Sequence, residues 1–386
     1  MEELQFVWGW QPALYLFLGG VGAGAFLAAG VLFLTDREHN RAAIAASLWA
    51  APVCLGVGLL LLLSELTAPA RGLLLWQSFS NQTSWMAFGA WAALLALVFF
   101  ALTAIVVTRP IEAAIERKWP GFATKKRRIA TVLTVIGMVL ALCVAVYTGM
   151  LLMAVPAVPL WDTPLLPCLF TVSAIDTGVA LVEIAALAVH RREPLTHRAR
   201  KLLERSVVVL VLVEGVVLAA YVGIMATGNG GGAFTHGSAA LTAALSAWTL
   251  TSGELAPFFW GLLVACGLVL PLVMAAIGLA KGQHATAPQG EASLAASAEA
   301  VCPPQAATIT TASETAFAEP TASAAEEAAA TSAPEETPSA AAPAFSAAML
   351  VGALGALVGG CTLRFLILLT GQHADLIATS AMQLLL

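Results

Sequence analysis

The sequence predicts an all-α, polytopic membrane protein of eight transmembrane helices, arranged as two four-helix bundles with both termini outside. Three observations predict it. Of 386 residues, 59% are hydrophobic and 11% charged, with a mean hydropathy of +0.87, whereas a soluble domain carries roughly 25% charged residues. A spanning helix needs roughly 20 apolar residues, and eight long runs almost free of charge occur at about 11–35, 47–66, 85–108, 129–154, 165–189, 205–228, 255–280 and 345–371. Ala and Leu dominate these runs and no strand-like alternation interrupts them, so helices rather than a barrel satisfy the backbone in lipid.

Taken in order, the first run follows Glu2 and Glu3 with no Lys or Arg. It is too long for a cleaved leader and reads as a retained helix. Gln11 opens it and Pro12 takes a tolerated first-turn place. Its glycine cluster, LGGVGAGAF at 18–26, does not follow a strand and lacks the order of a dinucleotide loop. On a helix, Gly20, Gly24 and Ala28 recur every four residues and form a small-residue packing stripe. The second run ends at Glu65, the third opens at Trp85, and the fourth carries Tyr147 in YTGMLL. The fifth holds Asp176 and Glu183, the sixth Glu214 and the eighth Arg364, while the seventh has no charge.

The loops orient the chain. Sixteen of the 18 Lys and Arg fall between runs 1 and 2, 3 and 4, 5 and 6, or just after run 7. Only Arg71 lies on the other side, and Arg364 lies within a run. Basic loops stay in the cytoplasm, which leaves both termini outside. Topology thus accounts for the basic clusters at 109–128 and 190–205, and no aromatic interleaving marks them as nucleic-acid surfaces. Residues 282–344 are rich in Ala, Pro, Ser and Thr and hold eight Glu but no Lys or Arg. They are expected to be a disordered cytoplasmic linker. This divides the chain into helices 1–7 at 1–281, the linker at 282–344, and helix 8 with a tail at 345–386.

The chemistry of cofactors narrows next. A haem between membrane helices needs axial ligands within them, but all six His lie in loops or at helix ends. The six Cys show no cluster spacing, so no iron–sulfur or zinc site is expected in this chain. A charge within the bilayer costs about 2.5–3.5 kcal/mol on insertion scales, which singles out Glu65, Asp176, Glu183, Glu214 and Arg364. Gln11, Tyr15, Glu65, Tyr147 and Arg364 bring polar groups to the outer leaflet. Asp176 is placed near mid-membrane, with Glu214 and Glu183 deeper toward the cytoplasm. Each has a plain reading beside the functional one. Tyr147 can sit in an aromatic belt, Glu65 can reach the interface, and Arg364 can form a structural pair with a carboxylate. Trp8, Trp10, Trp76, Trp85 and Trp161 fit an outer aromatic belt.

Several stretches resemble the NrfD/polysulfide reductase membrane-subunit family, the quinone-linked anchors of molybdenum and multihaem oxidoreductases. They are WGWQPALYLFLGGVGAGAF in helix 1, LLLLSELTAPARGLLLWQSFSNQTSWMAFGAW around helices 2 and 3, and YTGMLL in helix 4. PLWDTPLLPCLFTVSAIDTG, APFFWGLLVACGLVLPL and LVGGCTLRFLILLTGQ extend the likeness through helices 5, 7 and 8. The resemblance implies an integral subunit of the prokaryotic cytoplasmic membrane that binds menaquinone near its outer face. It implies an iron–sulfur partner docked there, and a molybdopterin or multihaem catalytic subunit beyond it. Tyr147 matches the tyrosine that contacts the quinone in the family. The family's acidic end of helix 2 is commonly followed by a Gly-Arg-Pro-like turn; here Glu65 is followed by Leu66-Thr67-Ala68-Pro69, with Arg71 just beyond. Where some members carry Asn and His in helix 1, this sequence has Pro12 and Tyr15.

The expected chemistry is quinol oxidation with Tyr147 and Glu65 as reacting-site residues, and Gln11, Tyr15, Arg71 and Arg364 around the quinone. Asp176, Glu183 and Glu214 are the expected proton path. An anchor without its own quinone site and a secondary transporter are the alternatives.

Overall fold

The computed structural model describes residues 9–65, 85–108, 117, 122–155, 157–190, 193–228, 238–284 and 341–371. These residues form α1 (Trp10–Thr35), α2 (Arg41–Glu65), α3 (Trp85–Val107), α4 (Phe122–Met153), α5 (Leu165–Val189), α6 (His197–Ala226) and the short α7 (Ser238–Thr251). A wide-turned π-helical segment, Phe258–Val269, runs on into α8 (Leu270–His284), and α9 spans Ala341–Leu369. Among the described residues, eight helices are long and apolar enough to cross a membrane, and no strand is present. Arg71, Trp8, Trp76 and residues 285–340 of the expected linker lie outside the described residues.

Three helices start earlier than their apolar runs. α2, α4 and α6 begin at Arg41, Phe122 and His197, because Lys and Arg are good helix formers whose stems lie along apolar surface. The first turns of α2 and α6 are also capped. Glu193 accepts from the backbone N–H of Arg41 and Ala42 at 2.8 and 2.9 Å, and the Thr196 hydroxyl accepts from Ala199 N–H, each satisfying donors a helix start leaves open. α6 closes with Gly228 at φ 70° just past its end, its N–H donating to the Met225 carbonyl at 3.0 Å, the left-handed cap that glycine allows without a Cβ penalty. The unanticipated α7 has 14 residues, too few to cross a bilayer.

The helices form two rings of four. α1 packs on α2 and α4, and α3 closes the first ring between α2 and α4. α5, α6, α8 and α9 close the second in the same way, with the π-helical segment against α9. α5 also packs against α1, α2 and α4, and α9 against α1. α1 and α5 are accordingly the most enclosed spans, while α2, α3, α4 and α6 turn most of their surface outward.

Small residues set that central crossing. A Cβ on Gly24 would run into the Ala174 carbonyl, and one on Gly178 into the Gly24 backbone. A Cβ on Gly20 would lie 3.2 Å from Ala174 Cβ. The predicted stripe of Gly20 and Gly24 is thus the α1 face against α5. Gly22 points the other way, to α2, where its Cβ would come 2.7 Å from the Ala51 carbonyl beside Pro52. In the core of the first bundle, Phe26 and Phe100 stack at 4.0 Å and 9°, over a Gly137 whose Cβ would meet the Phe26 ring at 2.5 Å.

Polar bonds join the bundles at the end where α1 meets α2. Asp36 Oδ2 accepts from the Thr196 hydroxyl at 2.7 Å and from Asn40 Nδ2 at 3.1 Å, and Thr196 N–H donates to Asn40 Oδ1 at 2.9 Å. With Glu193 on the start of α2, the α1–α2 turn and the α5–α6 loop make one clasp. Burial pulls one tryptophan out of the expected belt. Trp10 and Trp85 are exposed as a belt requires, but Trp161 is buried and donates its Nε1–H to the Ile367 carbonyl of α9 at 2.8 Å. The α4–α5 loop is folded into the protein, its Leu160 carbonyl accepting from the buried Tyr221 hydroxyl at 2.7 Å.

Candidate functional site

The polar residues of the spans fall into two groups. The first lies in the first bundle, at the end where α1 and α3 begin and α2 and α4 finish. Tyr15 of α1 is buried against Gly58 of α2, whose Cβ would come 3.5 Å from its ring. Tyr147 of α4 is buried with its ring over Gly89 of α3, in space that any side chain at 89 would occupy. The two tyrosines lie within electrostatic reach of each other. Neither hydroxyl hydrogen-bonds a described residue, unlike that of Tyr221. Gln11 and Glu65 meet at the same end around Gly9: a Cβ there would lie 2.8 Å from Gln11 Oε1 and 4.0 Å from Glu65 Oε1. Both are half-buried.

The second group centres on Arg364, which is 0% exposed. Its Nη1 donates to the Ser173 hydroxyl at 2.6 Å and to the Gly360 carbonyl at 3.0 Å. Its Nη2 donates to the Phe170 carbonyl at 3.2 Å, and the guanidinium lies 5.1 Å from the Phe170 ring centroid. Glu214 of α6 lies beside Ser173. Asp176, one turn along α5, feels the charges of Glu214, Glu183 and Arg364, and Glu183 that of Glu204. Two atoms in this group, Asp176 Oδ1 and Arg364 Nε, are buried without a hydrogen-bond partner. Buried polar groups are normally paired, with ordered water the usual partner when protein supplies none.

From Arg364 the carboxylates descend through Asp176 and Glu183 to Glu204, which Arg200 holds at 3.2 Å. Glu183 and Glu204 share a cavity of about 30 Å³ between α5, α6, α8 and α9, room for water. Its place beside Ser173 sets Glu214 one turn nearer the Gln11 end than Asp176, where counting along α6 placed it deeper. Arg364, one of the expected quinone neighbours, stands against Ser173 and Phe170 of α5. Its Nη2 nonetheless reaches the bundle interface, 3.3 Å from where a Cβ on Gly20 of α1 would be.

Three contributors escaped the sequence reading. Ser173 precedes Asp176 by three residues and so shares its helix face. Glu204 follows Arg200 by four, a spacing that equally marks an exposed helical ion pair. Gly89 carries no chemistry and is visible only through the ring it admits. Among the described residues, no three of His, Cys, Asp and Glu stand together as a metal site.

The family profile described as "Polysulphide reductase, NrfD" matches residues 2–286. The protein belongs to this family. The C subunit of polysulfide reductase from Wolinella succinogenes is 30% identical over 278 residues, covering 69% of this sequence and 82% of that protein. The NrfD homolog of Haemophilus influenzae is 29% identical over 283 residues, and NrfD of Escherichia coli 28% over 280, covering 69% of this sequence and 82% and 84% of those proteins. Family membership covers α1 to α8, with both tyrosines and all the named carboxylates; the match ends ahead of α9 and Arg364.

Proposed function

We propose that the protein is the quinone-reactive membrane subunit of a respiratory oxidoreductase complex in a prokaryotic cytoplasmic membrane, with both termini and the Tyr15–Tyr147 end outside. The observation that carries this reading is the pair of buried tyrosines, whose hydroxyls bond no described residue, at the end of the first bundle of an NrfD-family protein. A tyrosine hydroxyl donates to an acceptor oxygen, and a quinone supplies two such oxygens.

Oxidising a quinol releases two electrons and two protons. In this reading Tyr147 hydrogen-bonds one oxygen of the ring and Tyr15, with Gln11 above it, the other. Glu65 takes a proton at the mouth of the site, as a carboxylate within reach can. Arg71, six residues beyond Glu65 in the sequence, is read as a further quinone contact. The electrons pass to an iron–sulfur partner docked on this end, which delivers them to a molybdopterin or multihaem catalytic subunit. The Arg364 group then serves proton movement, with Glu214, Asp176 and Glu183 in sequence and water between them. Arg364 holds the top of that path beside α1 rather than touching the quinone.

Turnover of the isolated complex with a water-soluble quinol analogue tests the reading. Tyr147→Phe deletes one hydroxyl, and losing a hydrogen bond of about 0.5–1.5 kcal/mol predicts a fall of about two- to thirteenfold with the complex intact. Unchanged turnover would sink it.

A further inference from the structure

At the opposite end of the first bundle, where α1 and α3 finish and α2 and α4 begin, lies a cavity of about 110 Å³. Arg37, Arg41, Lys126 and Arg127 line it, drawn from the α1–α2 turn, the first residue of α2 and the start of α4. Its floor is apolar, made by Phe33, Ile44 and Val107. A bias of basic residues toward one side of the membrane explains why they lie at this end. It does not explain why four from separate segments converge on one recess, where like charges repel.

The nearby carboxylates are turned to other work. Glu193 gives its two oxygens to the backbone of α2, and Asp36 accepts from Thr196, Asn40 and His39. No ion pair among the described residues holds Arg37, Arg41 or Arg127. The Arg37 guanidinium lies 5.2 Å from the Phe33 ring centroid, a cation–π contact that orients it without neutralising it.

A cationic rim above an apolar floor fits a ligand with a phosphate at one end and hydrocarbon at the other. Arg recognises phosphate by paired N–H bonds, and basic pockets between spanning helices take anionic lipid headgroups. We infer that this recess binds the phosphate of an anionic phospholipid, held by Arg37, Arg41 and Arg127, with its glyceride end against Phe33 and Ile44. The site is independent of the quinone reading, since it lies at the other end of the bundle.

The test is lipid retention by the full-length protein in detergent, counted by native mass spectrometry, with dioleoyl phosphatidylglycerol as probe and dioleoyl phosphatidylcholine as its neutral counterpart. The wild type is expected to retain phosphatidylglycerol in preference. Arg41→Gln with Arg127→Gln should cut that retention about tenfold or more, as each charge near the lipid surface is worth a factor of about five. Arg41→Lys with Arg127→Lys, which keeps the charge, should keep most of the binding. Arg198→Gln with Arg205→Gln removes two exposed charges of α6 outside the recess and should leave retention within about twofold. Equal retention by the wild type and the first double variant overturns the site. An equal loss in the α6 variant overturns it too, by assigning the effect to diffuse surface charge. Displacement by millimolar inorganic phosphate overturns the lipid assignment in favour of free phosphate.

Discussion

Single residues decide whether the tyrosine pair is a site or a packing accident. Gly89 separates the two. Its missing side chain leaves the space that the Tyr147 ring fills, so Gly89→Ala pushes the ring aside without touching its hydroxyl. Overpacking of this kind costs about 1–3 kcal/mol, which the helix pair can absorb. Quinol oxidation should therefore fall at least as far in Gly89→Ala as in Tyr147→Phe, with the variant still assembled on size-exclusion chromatography. Full activity in Gly89→Ala would show that the position of the ring does not matter. Arg364 teaches a different lesson at this scale. A pairing with a carboxylate was one of its two readings, but a helix of 29 residues offers a side chain every 100° and only packing selects the neighbour. Ser173, on the neighbouring α5, fixes that choice by accepting from Arg364 Nη1.

At the scale of elements, apolar length and basic loops made all eight spans legible, and small residues marked the face of α1. The partner of that face was not legible. A stripe of Gly20 and Gly24 says that a backbone comes close, and only the structure shows that it is α5 at Ala174 and Gly178. Helix starts were missed where basic residues continued the helix, since a search for uncharged runs stops at the first Arg. The clasp of Asp36, Asn40, Glu193 and Thr196 was invisible for a related reason: its two halves are separated by most of the first bundle and look like ordinary loop polarity. Asp36 is held below the usual carboxylate range, chiefly by the Thr196 hydroxyl, with His39 and Asn40 adding to it. Because the folded state favours the charged form, its contribution is full above the ordinary carboxylate pKa and is lost as pH falls through the depressed value. Between about pH 5 and about pH 3 the melting temperature of the solubilised protein should drop more for the wild type than for Asp36→Asn. Equal slopes for the two proteins would show that the clasp adds no acid-sensitive stability.

For the whole molecule, the division of labour between bundles is the main consequence. The first bundle holds the tyrosines, Gln11 and Glu65; the second holds the carboxylate series, with Arg364 at the seam. In the proposed function, electron and proton chemistry occupy neighbouring compartments that meet at Gly20. If the carboxylates conduct, Asp176→Asn should abolish proton uptake coupled to turnover in proteoliposomes while quinol oxidation uncoupled by a protonophore persists. Uptake at the wild-type ratio would make the Asp176 group structural.

Quinone binding in the first bundle, at the Tyr15–Tyr147 end, is the centre of the proposed function. Photolabelling of the complex with an azido-quinone, followed by peptide mapping, tests it most directly. Label is predicted on the ends of α1 and α4 that carry Tyr15 and Tyr147, lost when excess menaquinone competes. Competable label confined to α5 and α9, around Asp176 and Arg364, would contradict it.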